Sequence, residues 1–344
     1  MGIQRKTGMI NWGIIGCGNV TEVKSGPAFN KVRNSRLLAV MRRDAALAAD
    51  YAKRHNVPRY YSNADDLIND TDVNAVYIAT PPGSHAMYAL RALQAGKPVY
   101  IEKPMAANYG ECIRINEAAA KYGQPVFVAY YRRTLPGFLK IRELIEEGHI
   151  GQVRFVQIQI FKYLSPDEKA GKLPWRVIPE ISGAGHFFDL ASHQLDYLDF
   201  LFGPVQKTAA VAVNQANLYR AEDMVSASFV FPGNIVASGT WNFSSVWENR
   251  RDSLEIFGER GMIKTSTFSF EPIVVVNDTG RQEYENARPE NVQYFLIEQI
   301  VNSLTEGGPV VSTGISAART SRVMDEVVQE YYRNTDQPAG SGRR

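Results

Sequence analysis

Near its amino terminus the chain reads Asn11-Trp12-Gly13-Ile14-Ile15-Gly16-Cys17-Gly18-Asn19-Val20-Thr21. The apolar run before Gly16 is typical of a buried strand, and a helical pattern begins after Gly18. Gly16 permits a tight turn, and Gly18 lacks a Cβ, so the backbone there can approach a pyrophosphate at the helix N-terminus. The stretch therefore predicts a dinucleotide site formed by Gly16, Gly18, Asn19 and Val20. Thr21 stands where a third small residue usually allows close packing of helix on strand, so the motif is incomplete in that respect. The alternative is an ordinary strand-to-helix turn.

The first third of the chain alternates short apolar runs with amphipathic stretches. The apolar runs cover residues 10–15, 36–41, 75–79, 99–101 and 126–129, and the helical stretches cover residues 22–33, 45–55, 84–95 and 109–122. Continuously apolar strands are buried on both faces, as in a parallel sheet with helices on each side. Residues 1–130 are therefore predicted to form a doubly wound α/β domain that binds a dinucleotide.

Beyond residue 130 the pattern is dominated by β-type runs. A helix at 137–147 and a strand at 153–162 precede a proline-containing loop and a helix at 186–202. Runs at 207–214, 223–231, 235–243, 251–257, 261–265 and 273–277 have the spacing of an antiparallel sheet. Two further helices are predicted at 290–304 and 316–332. Residues 131–344 are thus predicted to be an α+β domain built on one sheet.

Length and composition exclude several classes of protein. The 344 residues suffice for two domains, and 44% hydrophobic with 22% charged residues is a globular composition. A net charge of +2 offers little attraction for a phosphate backbone, so no nucleic-acid partner is expected. No apolar run reaches the ~20 residues of a membrane span, and the amino terminus lacks the apolar core of a secretory signal. Two cysteines, Cys17 and Cys112, fit a reducing compartment, so a cytoplasmic location is expected.

The end of the second strand bears on the choice of dinucleotide. An acidic residue about 20 residues after the glycines binds the adenosine 2′-hydroxyl in NAD-binding proteins. This chain has Met41-Arg42-Arg43 there, and two guanidinium groups can pair with a 2′-phosphate and stack on adenine. We therefore expect NADP, bound with the help of Arg42 and Arg43, with NAD as the alternative. The competing interpretation is a solvated arginine pair followed by Asp44 as a helix cap.

Two further stretches carry a family resemblance. One contains Thr80-Pro81-Pro82-Gly83-Ser84-His85 and then Ala95-Gly96-Lys97-Pro98-Val99-Tyr100-Ile101-Glu102-Lys103-Pro104; the other is Gly183-Ala184-Gly185-His186-Phe187-Phe188-Asp189-Leu190-Ala191-Ser192-His193. With the glycine loop, in this order and spacing, they resemble the Gfo/Idh/MocA family, which includes glucose–fructose oxidoreductase and inositol dehydrogenase. The resemblance implies an N-terminal Rossmann domain and a C-terminal α+β domain with a large, mostly antiparallel open sheet. It also implies hydride transfer between nicotinamide and a hydroxyl or carbonyl carbon of a sugar, polyol or sugar derivative.

The resemblance also assigns roles to residues. The expected catalytic residues are Lys103, which matches the family's E-K-P lysine, and Asp189 and His193, which match its D-x-x-x-H pair. Further cofactor contacts are expected from Thr80, Pro81, His85, Glu102 and Lys103. Substrate contacts are expected from Tyr131, Arg133, Trp175, Arg176, Asp189 and His193. By analogy with the family we expect a cis bond before Pro104, no metal, and a homodimer or homotetramer that forms through the C-terminal sheet.

The chemistry suits these residue types. Oxidation of an alcohol removes a hydride from carbon and a proton from oxygen, and the nicotinamide takes the hydride. His193 can take the proton because imidazole titrates near neutral pH, and Lys103 can stabilise alkoxide character on the reacting oxygen. Asp189 and His193 are four residues apart, so on a helix they share a face, and Asp189 can orient either group or a substrate hydroxyl. We expect Lys103 and His193 to meet over one nicotinamide ring.

Two other classes of function fit parts of the sequence. His186, Asp189 and His193 recur at helical spacing and could bind a divalent metal, as in a metal-dependent sugar isomerase or hydrolase. That interpretation gives Lys103 and the glycine loop no role. A sensor that binds NAD(P) without turnover is the second alternative, and a search for substrate turnover separates it from an enzyme.

Overall fold

The computed structural model describes residues 8–335, and these form two compact units. Unit 1 contains residues 8–135 and 288–318, and unit 2 contains residues 136–287 and 319–335. The predicted boundary after residue 130 lies near the end of the first stretch of unit 1. Residues Arg288–Ala318 belong to unit 1, although they follow most of unit 2 along the chain, and we call them the return segment. The sequence did not predict this. Residues 1–7 of the amino terminus, where no secretory signal is expected, lie outside the described residues.

The helices and strands follow one another along the chain as expected for an α/β half and an α+β half. The α-helices are α1 (Asn19–Val23), α2 (Ala28–Lys31), α3 (Ala45–Arg54), α4 (Ala64–Asn69), α5 (His85–Gln94), α6 (Tyr109–Tyr122), α7 (Pro136–Glu146), α8 (Pro166–Lys169), α9 (Pro179–Ser182), α10 (His186–Phe202), α11 (Tyr294–Thr305) and α12 (Gly314–Thr335). The strands are β1 (Ile10–Ile15), β2 (Ser35–Met41), β3 (Arg59–Tyr61), β4 (Ala75–Ile78), β5 (Val99–Ile101), β6 (Val126–Val128), β7 (Val153–Tyr163), β8 (Lys207–Val213), β9 (Met224–Phe231), β10 (Ile235–Ser245), β11 (Arg251–Gly258), β12 (Gly261–Thr265), β13 (Ile273–Asn277) and β14 (Gly280–Tyr284).

Unit 1 is built on a six-stranded sheet in the order β3-β2-β1-β4-β5-β6. Every neighbouring pair in this sheet is parallel. Strands β4, β5 and β6 are buried along their whole length, as expected for a sheet covered on both faces. The strand order changes direction between β1 and β4, and ligands of such sheets bind outside the carboxyl ends of the strands at that point. The predicted Rossmann fold is confirmed.

The helix predicted at 22–33 is wrong, because the chain breaks there into α1 and α2. Pro27 has no N–H to continue a helical hydrogen-bond ladder. Gly26 lies so close to α1 that an added Cβ would be 2.2 Å from the Thr21 carbonyl oxygen and 2.5 Å from the Tyr51 hydroxyl. The break therefore packs the backbone of Gly26 directly against neighbouring polar atoms.

Unit 2 is built on an eight-stranded sheet in the order β14-β13-β12-β11-β7-β10-β9-β8. Within this sheet, the β7–β10 pair is parallel and the other six pairings of the described strands are antiparallel. Exposed and partly buried residues alternate along β8, and exposed and buried residues along much of β9, so one face of the sheet is covered and the other is open. The predicted large, mostly antiparallel open sheet is confirmed.

A helix long and apolar enough to cross a membrane is not found between residues 8 and 335.

Candidate functional site

The glycine loop follows β1 in unit 1 and is held by neighbouring strand ends. The Gly16 N–H donates to the Met41 carbonyl at the end of β2, over 2.9 Å. Gly16 has φ +92°, and an added Cβ would lie 2.6 Å from Thr80 Cγ2, so both conformation and space require glycine. Gly18 faces open space instead, since the nearest heavy atom to an added Cβ is 3.9 Å away. This glycine leaves room for a close backbone approach, and the loop therefore fits a dinucleotide pyrophosphate.

Thr21 is accommodated at the third small position because its hydroxyl and its carbonyl both have hydrogen-bond partners nearby. The Thr21 hydroxyl donates to the Gly18 carbonyl over 2.8 Å, and the Thr21 carbonyl accepts from the Tyr51 hydroxyl over 2.8 Å.

Within the loop, burial raises the pKa of the Cys17 thiol to about 11, despite the opposing influence of Arg42. The Cys17 side chain is thus a neutral filler rather than a nucleophile.

The two arginines after β2 are exposed. The Arg42 guanidinium Nη1 lies 3.5 Å from the Cys17 carbonyl oxygen, which places a positive charge beside the glycine loop. Asp44 accepts a hydrogen bond from the Leu47 N–H and caps α3, as the competing interpretation predicted. Arg42 is in position to meet an anionic group bound at this loop.

His85 links the T-P-P loop to the turn after E-K-P. The His85 Nε2 lies 2.6 Å from the Thr80 carbonyl oxygen, and Nδ1 lies 3.0 Å from the Pro104 carbonyl oxygen. The side chain is fully buried, and burial lowers its pKa. The imidazole thus lies between these two loops, with a carbonyl oxygen at each ring nitrogen, and it is not available as a solvent-accessible base. The expected cis bond between Lys103 and Pro104 is present.

Glu102 lies buried at the end of β5, next to Lys103. Its Oε1 accepts hydrogen bonds from the Tyr77 hydroxyl over 2.5 Å and from the Gln293 amide over 2.6 Å. Its Oε2 accepts from the Lys103 backbone N–H over 3.1 Å. Gln293 comes from the return segment and was not found from the sequence, because it belongs to no motif and lies far from Glu102 along the chain.

Tyr131 and Arg133 lie in a 3-10 turn after β6 and belong to unit 1. Both side chains are buried, and Arg133 Nη1 donates to the Val311 carbonyl over 3.0 Å. Arg133 therefore helps to fix the return segment. Its expected contact with substrate stays a prediction.

Helix α10 in unit 2 carries Asp189 and His193 on one face. His193 is 4% exposed, and its ring packs edge-on against Phe268 with centroids 5.8 Å apart. The Arg176 Nε donates to Asp189 Oδ2 over 3.0 Å, and the same guanidinium lies over the Trp175 ring. Four of the predicted substrate residues therefore lie in unit 2, and two of them form an ion pair.

The first residue of α10 has a partner that the sequence did not indicate. His186 Nε2 lies 2.9 Å from Glu168 Oε1, and this hydrogen bond holds the pKa of Glu168 at about 2. His186 thus joins α8 to α10.

A metal-dependent enzyme would need a cluster of ligands, and residues 8–335 contain no group of three or more His, Cys, Asp or Glu side chains that could hold a metal ion.

A second buried acid, Glu222, holds the start of the same helix. Its carboxyl group accepts from the Gly185 N–H over 3.0 Å and from the Tyr332 hydroxyl over 2.7 Å. An added Cβ at Gly185 would lie 2.8 Å from the Glu222 carbonyl oxygen, so the turn before α10 requires glycine. Burial raises the pKa of Glu222 to about 7. The sequence offered no signal for this role.

A cavity of about 290 Å³ lies in unit 2. It is bounded by residues of β7, β9, β10 and β11 and the turn before β11, and it includes none of the residues predicted for the site.

Comparison with known proteins identifies the family. Residues 10–130 match the family described as "Oxidoreductase family, NAD-binding Rossmann fold", and residues 138–264 match the "GFO/IDH/MocA C-terminal domain". Oxidoreductase P35 of Formosa agariphila is 43% identical over 320 residues, which are 92% of this chain and 97% of that protein. The chain belongs to the GFO/IDH/MocA family and is an NAD(P)-dependent oxidoreductase. The resemblance recognised from the motifs is confirmed.

Other relatives share most of the chain. Trans-1,2-dihydrobenzene-1,2-diol dehydrogenase of Mus musculus is 28% identical, with 78% of each chain covered. Levoglucosan dehydrogenase in complex with NADH and levoglucosan has a TM-score of 0.83 at 21% identity, covering 94% of this chain and 97% of that one. Aldose-aldose oxidoreductase of Caulobacter crescentus has a TM-score of 0.83 at 22% identity, covering 95% and 98%. These two structures share the fold of both units.

Proposed function

We propose that this protein transfers a hydride between NADP and a hydroxyl or carbonyl carbon of a sugar, polyol or sugar derivative. The observation that carries the proposal is the edge of the parallel sheet in unit 1. The glycine loop after β1, the T-P-P loop after β4 and Lys103 after β5 all lie at the carboxyl ends of strands, where such sheets bind ligands. His85 ties the second of these loops to the turn after Lys103.

Arg42 and Arg43 support NADP as the preferred cofactor. Their guanidinium groups follow β2 at the place where a 2′-phosphate is recognised, and no carboxylate occupies positions 41–43. Structures with the same fold include complexes with NAD⁺ and a putative NADPH-dependent oxidoreductase. The fold therefore accommodates either dinucleotide, and the choice rests on these two side chains.

The names of relatives support a carbohydrate or diol as substrate. Among the proteins that resemble this chain are a levoglucosan dehydrogenase, an aldose-aldose oxidoreductase and several trans-1,2-dihydrobenzene-1,2-diol dehydrogenases. The compounds in these names carry an alcohol or a carbonyl group. A substrate of this kind suits the pairing of a proton acceptor with a hydride acceptor.

Lys103, Asp189 and His193 are proposed as the catalytic residues. When bound, the nicotinamide accepts or supplies the hydride. His193 Nε2 or Nδ1 takes the hydroxyl proton in the oxidative direction and returns it in the reductive direction. The Lys103 ammonium donates a hydrogen bond to the reacting oxygen and stabilises its developing negative charge. Asp189, fixed by Arg176, orients a substrate hydroxyl or the imidazole. Tyr131, Arg133, Trp175 and Arg176 are proposed to contact the substrate.

The proposal is tested by turnover with a defined panel. Purified protein is mixed with NADP⁺ or NAD⁺ and with D-glucose, myo-inositol, levoglucosan or trans-1,2-dihydrobenzene-1,2-diol, and the absorbance of the reduced nicotinamide is followed. We expect reduction with at least one of these alcohols, faster with NADP⁺ than with NAD⁺. Tight nucleotide binding without turnover of any of them, or of the corresponding carbonyl compounds with NADPH, would support the sensor function instead.

We further propose that the open face of the unit 2 sheet joins copies of the chain into a homodimer or homotetramer. A row of apolar side chains crosses five strands on that face, and the pairing register aligns its members: Val236, Phe155, Phe257, Met262 and Val276. Two of them, Val236 and Val276, are about 40% exposed. A continuous apolar row of this kind is typical of an interface.

A cytoplasmic location is proposed on the state of the cysteines. The sequence has only two cysteines, Cys17 and Cys112, and both are buried; so low a cysteine content is expected for a protein of a reducing compartment. Detection of the protein in the cytoplasmic fraction of lysed cells would support this location, and recovery from an extracytoplasmic fraction would contradict it.

A further inference from the structure

Gln293 is a fully buried amide at the centre of a polar chain in unit 1. Its Oε1 accepts a hydrogen bond from the Tyr100 hydroxyl over 2.8 Å, and its Nε2 donates to Glu102 Oε1 over 2.6 Å. The chain continues from Glu102 Oε2 to the backbone N–H of Lys103. Tyr100, Gln293, Glu102 and Lys103 are thus connected by consecutive hydrogen bonds.

The hydrogen bonds of this polar chain all run towards the Glu102 carboxylate, which accepts from Tyr77, Gln293 and the Lys103 N–H. Burial, with Glu102 nearby, raises the pKa of Tyr77 and Tyr100 well above the usual value, so both hydroxyls stay protonated. Tyr77 donates to Glu102 and Tyr100 donates to Gln293. The Gln293 amide is therefore oriented with its oxygen towards Tyr100 and its NH₂ towards the carboxylate. A side chain with two acceptor oxygens could not serve at this position.

The same short stretch also holds the helix that follows the glycine loop. The Asn291 amide donates to the Val23 carbonyl over 2.6 Å, and the Gln293 backbone N–H donates to the Lys24 carbonyl over 3.3 Å. Residues 291–293 therefore contact both the end of α1 and the E-K-P turn. These are the two elements of unit 1 that the proposed function assigns to the cofactor and to the reacting oxygen.

We propose that Gln293 is a positioning residue for the hydride transfer. It fixes the Glu102 carboxylate, and the carboxylate in turn fixes the backbone of Lys103, so that the ammonium is held in one place. The inference rests on the proposed role of Lys103. Gln293 itself contacts neither cofactor nor substrate in this account and acts only through Glu102.

Two substitutions remove different parts of this contact. Gln293→Met keeps the length of the side chain and removes both hydrogen bonds, whereas Gln293→Glu replaces the donor facing Glu102 by an acceptor. Misplacement by about 1 Å can cost about 100-fold in rate, so we expect kcat to fall about 10- to 100-fold in both variants, with KM for the substrate changed much less. Gln299→Met, in the same return segment, is the control and should keep the wild-type kcat.

A double-variant comparison separates positioning from general damage. If Gln293 acts through Lys103, adding Gln293→Met to Lys103→Ala should lower kcat no further. If instead the factors by which the two single substitutions lower kcat multiply in the double variant, the inference is overturned while the proposed function stays intact. Full activity of Lys103→Ala would instead overturn the role of Lys103 in the proposed function.

Two measurements do not depend on turnover. The first is the NADP⁺ dissociation constant from calorimetry, which should stay close to the wild-type value in Gln293→Met. The second is an NMR spectrum of protein whose lysines carry ¹³C-methyl groups, with the Lys103 signal assigned by its loss in Lys103→Arg. That signal should be single in wild type and broadened or split in Gln293→Met. An unchanged signal together with unchanged kcat would show that Gln293 has no positioning role.

Discussion

Arg42 is the residue whose charge most directly bears on the choice of cofactor. Its guanidinium lies beside the carbonyl of the glycine loop, and a charge-assisted hydrogen bond contributes about 1.5–3 kcal/mol. Arg42→Asp should therefore lower the ratio of kcat/KM for NADP⁺ over NAD⁺ by about 10- to 100-fold.

Steady-state kinetics with both nucleotides measures this ratio. Arg33→Asp, an exposed arginine at the other end of β2, is the matched control because it makes the same change in net charge. If this ratio is unchanged in Arg42→Asp, or changes equally in Arg33→Asp, Arg42 does not determine the cofactor preference.

At the scale of residues, the sequence was informative wherever the chemistry is local. The glycines of the turn, Gly16 and Gly18, could be predicted because a strand–turn–helix needs them within a few positions, and the proposed role of Lys103 comes from its motif. Gln293, Glu168 and Glu222 could not, since each acts through a partner that is distant in the chain. Long-range pairing of buried polar groups leaves no periodicity or spacing to detect.

The break between α1 and α2 gives a prediction at the scale of elements. Gly26→Ala would place a Cβ against the Thr21 carbonyl and the Tyr51 hydroxyl, and overpacking of this kind costs about 1–3 kcal/mol. Chemical denaturation should show that loss in the free energy of unfolding. Gly110→Ala, in α6, where an added Cβ meets only Asn108 Oδ1 at 3.4 Å, should be neutral or stabilising. Equal stability of both variants would contradict this explanation of the break.

The carboxyl group that holds the start of α10 gives a second prediction. The pKa of Glu222 is raised from 4.5 to about 7 by burial, so the folded state binds a proton more tightly than the unfolded state. The stabilisation is fully present below pH 4.5 and is lost as pH rises towards 7, amounting to about 3 kcal/mol.

Unfolding curves between pH 4.5 and 8 measure this effect. Glu222→Gln should remove that part of the pH dependence, whereas Glu298→Gln, on α11 in unit 1, should retain it. A wild-type stability that rises with pH across this interval, with no change in slope in Glu222→Gln, would contradict the assignment.

Elements with a clear apolar pattern were predicted closely, and those without one were missed. The strands β1, β5, β12 and β13 and the helices α6 and α10 have the predicted bounds. The strands β3 and β14 were not predicted, because none of their residues is buried and their sequences show no apolar run. Such edge strands are specified by the neighbouring strand rather than by their own composition.

At the scale of the whole molecule, the open sheet face predicts self-association. Val236→Glu places a charge within the apolar row of that face and should shift the protein from an oligomer to the 38.4 kDa monomer. Light scattering coupled to size-exclusion chromatography measures the mass. Met87→Glu, at an exposed position on α5, should leave the oligomer intact. A wild-type protein that is monomeric at micromolar concentration would contradict the proposed interface.

The organisation of the chain into units was only partly evident from the sequence. The change of pattern near residue 130 marks the end of the parallel sheet, since the next strands alternate rather than being continuously apolar. The return segment has an ordinary helical pattern, and nothing in it indicates which unit it joins. Its assignment depends on contacts such as that between Tyr100 and Gln293, which appear only in the folded chain.

We propose that the nicotinamide-dependent hydride transfer of this protein uses Lys103 and His193. It is tested by single-turnover reduction of NADP⁺ with the fastest alcohol of the panel, comparing Lys103→Ala and His193→Ala with the surface controls Lys121→Ala and His149→Ala. Acid–base groups contribute about 10²- to 10⁴-fold, so the first two variants should lose at least about 100-fold in rate while binding NADP⁺ as tightly as wild type, and the controls should lose nothing. Wild-type rates in either of the first two, or a loss of rate that only matches a loss of nucleotide binding, would contradict the claim.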